Sequence, residues 1–333
     1  MQSLSRLVSW LRNFVRQAQE GSPVLMFLGL GSAGLLAVTL LLQLLDPRQV
    51  LGVSTWMKPA KFAASVGMAS VTLAWMIRHL GPARPGVRRA ARVMAAMATL
   101  ELVIITLQAA RGVPSHFNNR TLLDSVLFQV MGLGISVFWG AQVYLAFRAF
   151  RTGFPDVVKG WGIRLGLLTA LLGGAQGFLM PTPSAAQRAS LQAHQSPALL
   201  GAHSVGAPDG GPGLPVTHWN TQAGDLRVAH FLGLHSLQIV PLFAWAVGRR
   251  RRSVASARAT RVVMMGAGAY VGLMMGTLVQ ALQGRALLNG LGAGPLTAML
   301  GGGLVTAGFA LLAWRQKPQP IGARDSVAAP QVA

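Results

Sequence analysis

Two histidines stand at the entrance of an apolar segment, in the stretch GDLRVAHFLGLHSLQ that covers residues 224–238. Imidazole nitrogens bind haem iron, copper and zinc, and they also transfer protons near neutral pH. His230 and His235 are five residues apart, about 140° round a helix, whereas two metal ligands on one regular helix usually stand three or four residues apart. We therefore expect one of them in a metal or haem site and the other in a supporting position, with Arg227 and Gln238 as candidates for cofactor binding.

A buried acid is predicted in another apolar segment, the third predicted span (residues 92–110). An ionisable side chain inside a membrane span costs at least about 2.5 kcal/mol, so Glu101 should face the interior of a helix bundle and act as a catalytic or proton-transferring group. Gln108 lies two helical turns further on and shares the same face. With Arg111 and His116 beyond it, the sequence predicts a polar column from Glu101 to the membrane surface, although helix-packing hydrogen bonds are the alternative interpretation.

The stretch RGVPSHFNNRTLLD, residues 111–124, joins this segment to the next one. Pro114 ends the first helix, so His116 is expected in a tight turn as a metal ligand. Asp124 follows early in the next helix, where it can orient the imidazole or assist catalysis. A carboxylate is also favourable at any helix N-terminus, and both interpretations of Asp124 stay open.

Two lysines, Lys58 and Lys61, occur three residues apart in WMKPAKF. A helix that includes both would place them on one face, where they could bind a lipid phosphate, a carboxylate or a haem propionate. Contact with lipid headgroups is the alternative. The three histidines of the long loop that follows the fifth span are interpreted as ordinary loop residues: His194, His203 and His218. The chain has no cysteine, which excludes disulfides and thiolate metal sites.

The composition is that of a membrane protein. The chain is 52% hydrophobic and 11% charged, with a mean hydropathy of +0.48, whereas soluble domains carry about 25% charged residues. We predict an all-α, polytopic bundle of about eight transmembrane helices. The net charge of +21 does not indicate nucleic-acid binding, because the basic residues lie between apolar runs rather than in one patch.

The distribution of lysine and arginine predicts the orientation. Alternate loops and termini contain 21 of these residues on one side of the membrane and 8 on the other, so both termini are expected in the cytoplasm. Residues 1–20 form a predicted amphipathic interfacial helix, residues 21–315 the membrane domain with a long outer loop at 181–228, and residues 316–333 a disordered cytoplasmic tail. The predicted spans are 24–45, 62–80, 92–110, 122–148, 162–180, 229–247, 262–283 and 292–314.

Three functions are compatible with these residues. The leading hypothesis is a redox protein that binds haem b or a divalent transition metal at the outer face, with a quinone or lipid-like small molecule as partner. The second is a zinc-dependent intramembrane hydrolase, in which Asp124 or Glu101 completes a histidine site. The third is a proton-coupled transporter that uses Glu101 and the outer histidines as a relay.

The motifs RGVPSHFN, DGGPGLP and GDLRVAHFLGLH, within residues 56–240, resemble a widespread group of bacterial multi-span inner-membrane proteins. The resemblance implies an inner-membrane location but no activity. Residues 62–235 are more faintly similar to the alkaline ceramidase and progestin-receptor superfamily, in which a serine and a histidine end one span and an aspartate begins another. The present chain departs from that pattern in its histidine spacing and in its predicted span count, so no residue role is transferred.

Overall fold

The computed structural model describes residues 2–250 and 256–288, and the described chain is predominantly helical. Two short antiparallel strand pairs are the only sheet in this part: β1 (Gln49–Val50) with β2 (Val53–Ser54), and β3 (Ser204–Val205) with β4 (Gly224–Asp225). The helices are α1 (Gln2–Gly21), α2 (Pro23–Leu45), α3 (Met57–Leu80), α4 (Pro85–Ala110), α5 (Leu122–Arg151), α6 (Val157–Gln176), α7 (Ala185–Gln192), α8 (Leu226–Arg250) and α9 (Ser256–Leu282).

Seven described helices are long and apolar enough to cross a membrane, namely α2 to α6, α8 and α9. The all-α class is thereby confirmed, and the chain has the features of a multi-pass membrane protein. Helices α3 and α4 begin several residues before the predicted spans 62–80 and 92–110. Their first turns include lysines or arginines, which the predicted apolar spans had left out. The predicted eighth span, 292–314, and the predicted tail, 316–333, lie outside the described residues.

The spanning helices run alternately up and down, so their ends form two groups. The arginine-rich end includes the start of α2, the α3–α4 turn and the α5–α6 turn. The histidine end includes the α4–α5 loop and the long segment between α6 and α8. Helix α1 packs along α3 at the arginine-rich end, where Trp75 Nε1 donates to Gln17 Oε1 (3.2 Å) and Arg78 Nε donates to Glu20 Oε2 (2.9 Å).

Helices α6 and α8 approach each other closely at two glycines. A Cβ atom built on Gly173 would lie 2.4 Å from the Gly233 Cα, and one built on Gly233 would lie 2.3 Å from the Gly173 Cα. Ser236 Oγ, one turn further along α8, donates to the Gly166 carbonyl of α6 (3.0 Å). Small residues at such a crossing let two backbones pack in van der Waals contact, which is how helices associate in lipid.

The long segment at the histidine end is ordered by hydrogen bonds between side chains and backbone. Helix α7 is short, because a capping box at Ser184 and Gln187 starts it and residues 193–203 turn back towards the bundle. Gln187 Nε2 donates to the carbonyls of Leu199 and Gly201 (3.0 and 3.1 Å). The glycine- and proline-rich remainder then returns through β3 and β4 to the start of α8. Residues 177–225, which we call the covering segment, therefore lie over the ends of the helices that contribute the site described next.

Candidate functional site

Glu101 and His116 meet at the histidine end, although 15 residues separate them. The α4–α5 loop folds back over the end of α4, with Gly112 and Phe117 in the left-handed region (φ 70° and 60°). His116 Nε2 thereby lies 3.5 Å from Glu101 Oε1, and its Nδ1 lies 3.1 Å from Ser115 Oγ. Aromatic rings surround the imidazole at centroid distances of 5.7 to 6.0 Å: Phe62, Phe117 and Phe128.

Asp124 belongs to a separate network that ties the ends of α4 and α5 together. Its carboxylate accepts hydrogen bonds from Gln108 Nε2 (2.9 Å), Arg111 Nη1 (2.6 Å) and Thr121 Oγ1 (2.7 Å), and Arg111 also donates to Gln108 Oε1. These donors, rather than His116, are what the carboxylate contacts. Asp124 therefore does not orient His116 as expected, because Thr121 caps α5 and holds Asp124 beside the end of α4.

His203 joins the site through a pair that the sequence did not indicate. Its Nδ1 lies 2.7 Å from Asp209 Oδ2, and the same carboxylate accepts from the backbone N–H groups of His203 and Ser204 (3.0 and 2.9 Å). Its ring packs edge-on against Phe117 at a centroid distance of 4.9 Å. The signal in the sequence is an aspartate six residues after a histidine, at a turn-forming Asp-Gly-Gly, within an irregular segment.

The two histidines of α8 face different surroundings. His230 Nδ1 lies 2.7 Å from the Gly173 carbonyl oxygen, so Nδ1 carries the proton in the neutral ring and donates it to this oxygen. His230 is also near enough to His116 to interact with it electrostatically. His235 instead packs on Phe231 at a centroid distance of 4.1 Å. His230 is thus the residue on the side of the site, and His235 lies away from it, as does Gln238, which donates to Thr72 Oγ1 (3.2 Å).

The lysines lie in the first turns of α3 and reach different partners. Lys61 Nζ donates to the Thr217 carbonyl oxygen (3.2 Å). Lys58 interacts electrostatically with Glu101 and His116, but it has neither a hydrogen bond nor an ion pair within the described part of the chain. The predicted lysine pair is therefore divided between the covering segment and the Glu101–His116 site.

Arg227 organises the covering segment rather than the centre of the site. Its guanidinium group binds the Asp225 carboxylate through Nε and Nη2 (2.9 and 2.6 Å), and Nη2 also donates to the His218 carbonyl oxygen (2.6 Å). The backbone N–H of Asn220 donates to Asp225 Oδ2 (2.7 Å). Asp225 thus fixes both the start of α8 and the turn that precedes it.

Burial keeps the loop histidines of the site neutral. It holds the pKa of His116 well below its ordinary value, and nearby Lys58, His203 and His230 add to the effect. Burial also lowers the pKa of His203, even though its hydrogen bond with Asp209 acts in the opposite direction. Burial of Asp209 disfavours its ionised form, but the hydrogen bonds from His203 and the backbone outweigh burial and lower the pKa of this carboxyl. At neutral pH the site therefore contains neutral imidazoles, which can accept protons or bind metals.

The stability of the covering segment should decrease when the pH falls from about 7 to about 5. In that range an unfolded chain binds protons at His116 and His203 more readily than the folded protein does, because burial lowers the pKa of both histidines in the fold. Each pH unit below about 6.5 should then cost up to about 1.4 kcal/mol per histidine. The check is the apparent melting temperature of the purified protein across this range.

Two variants isolate the contribution of His203. His203→Gln cannot bind the extra proton, so its melting temperature should depend less on pH than that of the wild type. His194→Gln changes an exposed histidine of the same segment and should retain the full dependence. Equal acid sensitivity in His203→Gln and the wild type would contradict the assignment.

No three side chains of His, Cys, Asp or Glu within residues 2–250 and 256–288 are arranged to hold a metal ion. His116, His203 and His230 each have Nδ1 within hydrogen-bond distance of a neighbouring oxygen, which leaves Nε2 for other partners. In its present geometry the site is suited to acid–base chemistry. Comparison of the chain with known protein families, curated proteins and solved structures finds no match.

Proposed function

We propose that this protein is a proton-coupled carrier of a small anion and that Glu101 and His116 exchange the proton. The observation that supports this most directly is the 3.5 Å distance between Glu101 Oε1 and His116 Nε2. Groups at that distance need only a small side-chain movement to share a proton, and such contacts tighten when a ligand binds. Glu101 is 6% exposed and has no hydrogen bond to the described residues, so His116 or a ligand must provide its partner.

The charge balance around this pair favours an anion as the ligand. Among the described residues, Lys58 has no hydrogen-bonded or ion-paired partner near the pair. The neighbouring carboxylates already have donors: Asp124 has Arg111, Asp209 has His203, and Asp225 has Arg227. Within the described residues, Lys58 is therefore the basic side chain that is free to bind a ligand here, and an unpaired lysine attracts carboxylate or phosphate groups. In the proposed cycle His116 Nε2 takes a proton from water at the outer face and passes it to the Glu101 carboxylate. Glu101 then releases the proton towards the inner side together with the anion, which returns Glu101 to its ionised form.

We infer that the site opens to the outer face of a bacterial inner membrane. The arginine-rich end belongs to the side with 21 of the 29 basic residues, which the positive-inside rule assigns to the cytoplasm. An eighth span at 292–314 would return the chain to that side and leave both termini cytoplasmic. The anion would then enter from outside, beneath the covering segment.

The test is proton movement in liposomes that contain the purified protein and a pH-sensitive dye. A panel of small carboxylates and inorganic phosphate is added outside, and internal acidification is followed. Glu101→Gln should reduce the anion-dependent proton flux by at least roughly 100-fold, because an amide cannot take up and release the proton. Glu20→Gln, at the arginine-rich end, is the matched control and should transport normally.

Two results would overturn the proposal. One is a Glu101→Gln variant that moves protons as fast as the wild type. The other is a wild-type protein that responds to none of the anions while a control carrier in the same liposomes does.

Binding of haem b or a divalent transition metal is the second candidate function. It is favoured by the hydrogen bonds of His203 and His230, because metal-bound histidines usually donate their other ring N–H to a carboxylate or a carbonyl. Elemental analysis and an absorption spectrum of protein purified from membranes test it. A Soret band supports haem, whereas stoichiometric zinc without colour supports a hydrolase. Bound metal or haem should be lost in His230→Ala and retained in His194→Ala, and a preparation with neither group excludes this candidate.

A further inference from the structure

A cavity of about 490 Å³ lies at the arginine-rich end, at the opposite end of the bundle from Glu101 and His116. It is a half-open cleft between the start of α2, the end of α3 and the first turns of α4, with Ser22, Pro23, Val24, Ile77, Arg88 and Arg92 among its lining residues. Its volume is within the range of about 300 to 1,000 Å³ that is typical of small-molecule sites. The cavity can therefore hold a ligand of its own.

The polar side of the cavity has unmatched positive charge. Arg88 and Arg92 are one helical turn apart on α4, and within the described residues neither guanidinium group has a hydrogen bond or an ion pair. The acid that lines the cavity, Glu20, is already bound by Arg78 at 2.9 Å. Two guanidinium groups on one face present planar donors that fit the oxygens of a phosphate group.

The apolar side of the cavity continues onto the surface of α2. Val24 lines the cavity and is 39% exposed, and Phe27, nearly one turn further along the helix, is 79% exposed. On a membrane-spanning helix, exposed large apolar side chains contact the hydrocarbon chains of lipids. A ligand with a charged head and an apolar body therefore fits this position better than a free phosphate ion does.

We propose that this cavity binds the headgroup phosphate of an anionic phospholipid, with the acyl chains along the exposed side of α2. Basic cavities between spanning helices are a known way for membrane proteins to hold anionic headgroups on the cytoplasmic side. The inference is independent of the chemistry at Glu101 and His116. Because Glu20 and Gly21 at the end of α1 also line the cavity, a lipid bound there would contact α1 as well as α2.

Native mass spectrometry of the detergent-solubilised protein tests the proposal, with dioleoyl phosphatidylglycerol and dioleoyl phosphatidylcholine as probes. The wild type should retain phosphatidylglycerol and bind phosphatidylcholine at least roughly tenfold more weakly, because the latter is zwitterionic. Arg88→Gln with Arg92→Gln should weaken phosphatidylglycerol binding by a similar factor. Arg84→Gln with Arg89→Gln removes the same charge from the same end of α4 without altering the cavity wall, and it should bind as the wild type does.

An excess of inorganic phosphate separates the two sources of a phosphate group. It should leave phosphatidylglycerol bound, and its displacement of the lipid would overturn the proposed lipid ligand. Equal retention of the two lipids by the wild type would also overturn it, and this comparison needs no variant. Loss of phosphatidylglycerol from the control variant to the same extent as from the Arg88 and Arg92 variant would overturn the assignment to this cavity.

Discussion

Gly233→Ala should lower the apparent melting temperature of the protein by roughly 5 to 10 °C, equivalent to about 3 kcal/mol of unfolding free energy. The added methyl group would lie 2.3 Å from the Gly173 Cα and 2.9 Å from Met274 Sδ. The first of these neighbours is backbone, which cannot rotate away, so α6 and α8 must separate. Gly173→Ala meets the backbone of α8 at 2.4 Å and should have a similar effect.

The matched control is Gly132→Ala on α5, where an added Cβ would meet no atom within 4 Å. This change should be neutral or slightly stabilising, because alanine favours a helix over glycine by about 1 kcal/mol. Melting followed by tryptophan fluorescence compares the variants. If Gly233→Ala melts at the same temperature as Gly132→Ala, the close crossing of α6 and α8 is wrong.

The same crossing couples packing to the functional site. His230 lies three residues before Gly233 and hydrogen-bonds the Gly173 carbonyl at 2.7 Å. A separation of the helices by about 1 Å would lengthen this 2.7 Å contact beyond hydrogen-bond distance. We therefore expect Gly233→Ala to impair the transport assay as well, whereas Gly132→Ala should leave it intact.

Asp225→Ala should release the covering segment and cost about 3 to 5 kcal/mol. The Asp225 side chain is 1% exposed and accepts hydrogen bonds from the Arg227 side chain and from the backbone N–H groups of Asn220 and Arg227. Its removal leaves the partly buried Arg227 guanidinium without its counter-charge and two N–H groups without an acceptor. Hydrogen exchange in residues 204–225 should accelerate by at least roughly 100-fold.

Two comparisons test the cause of that effect. Asp156→Ala removes the N-cap of α6 at the opposite end and should cost only about 1 kcal/mol, without faster exchange in residues 204–225. Asp225→Ala combined with Arg227→Met should be less destabilised than Asp225→Ala alone, because the unpaired charge is removed as well. If the double variant is as destabilised as Asp225→Ala alone, the unpaired Arg227 charge is not the cause of the destabilisation.

The hydrophobic and charge patterns were sufficient to predict the fold class. Long apolar runs separated by arginine-rich and arginine-poor loops indicate spanning helices, and seven of them lie in the described residues. This works because a helix in lipid satisfies its own backbone hydrogen bonds, so each span is encoded locally. The proximity of Glu101 to the following turn was also within reach of the sequence, since a helix stop was expected after residue 110, and Gly112 in the left-handed region turns the chain back there.

The remaining features depend on contacts between segments that are distant in the sequence. Only the crossing of α6 and α8 shows that His230, rather than His235, belongs to the site, because its Nδ1 partner is a carbonyl 57 residues away. Only the fold of the covering segment brings His203 beside Phe117, 86 residues earlier in the chain. Local pattern determines where helices form in lipid, whereas the partner of each polar side chain depends on which helices pack together. The sequence therefore determined a membrane bundle with polar groups at one end, and the tertiary structure decided which of those groups meet.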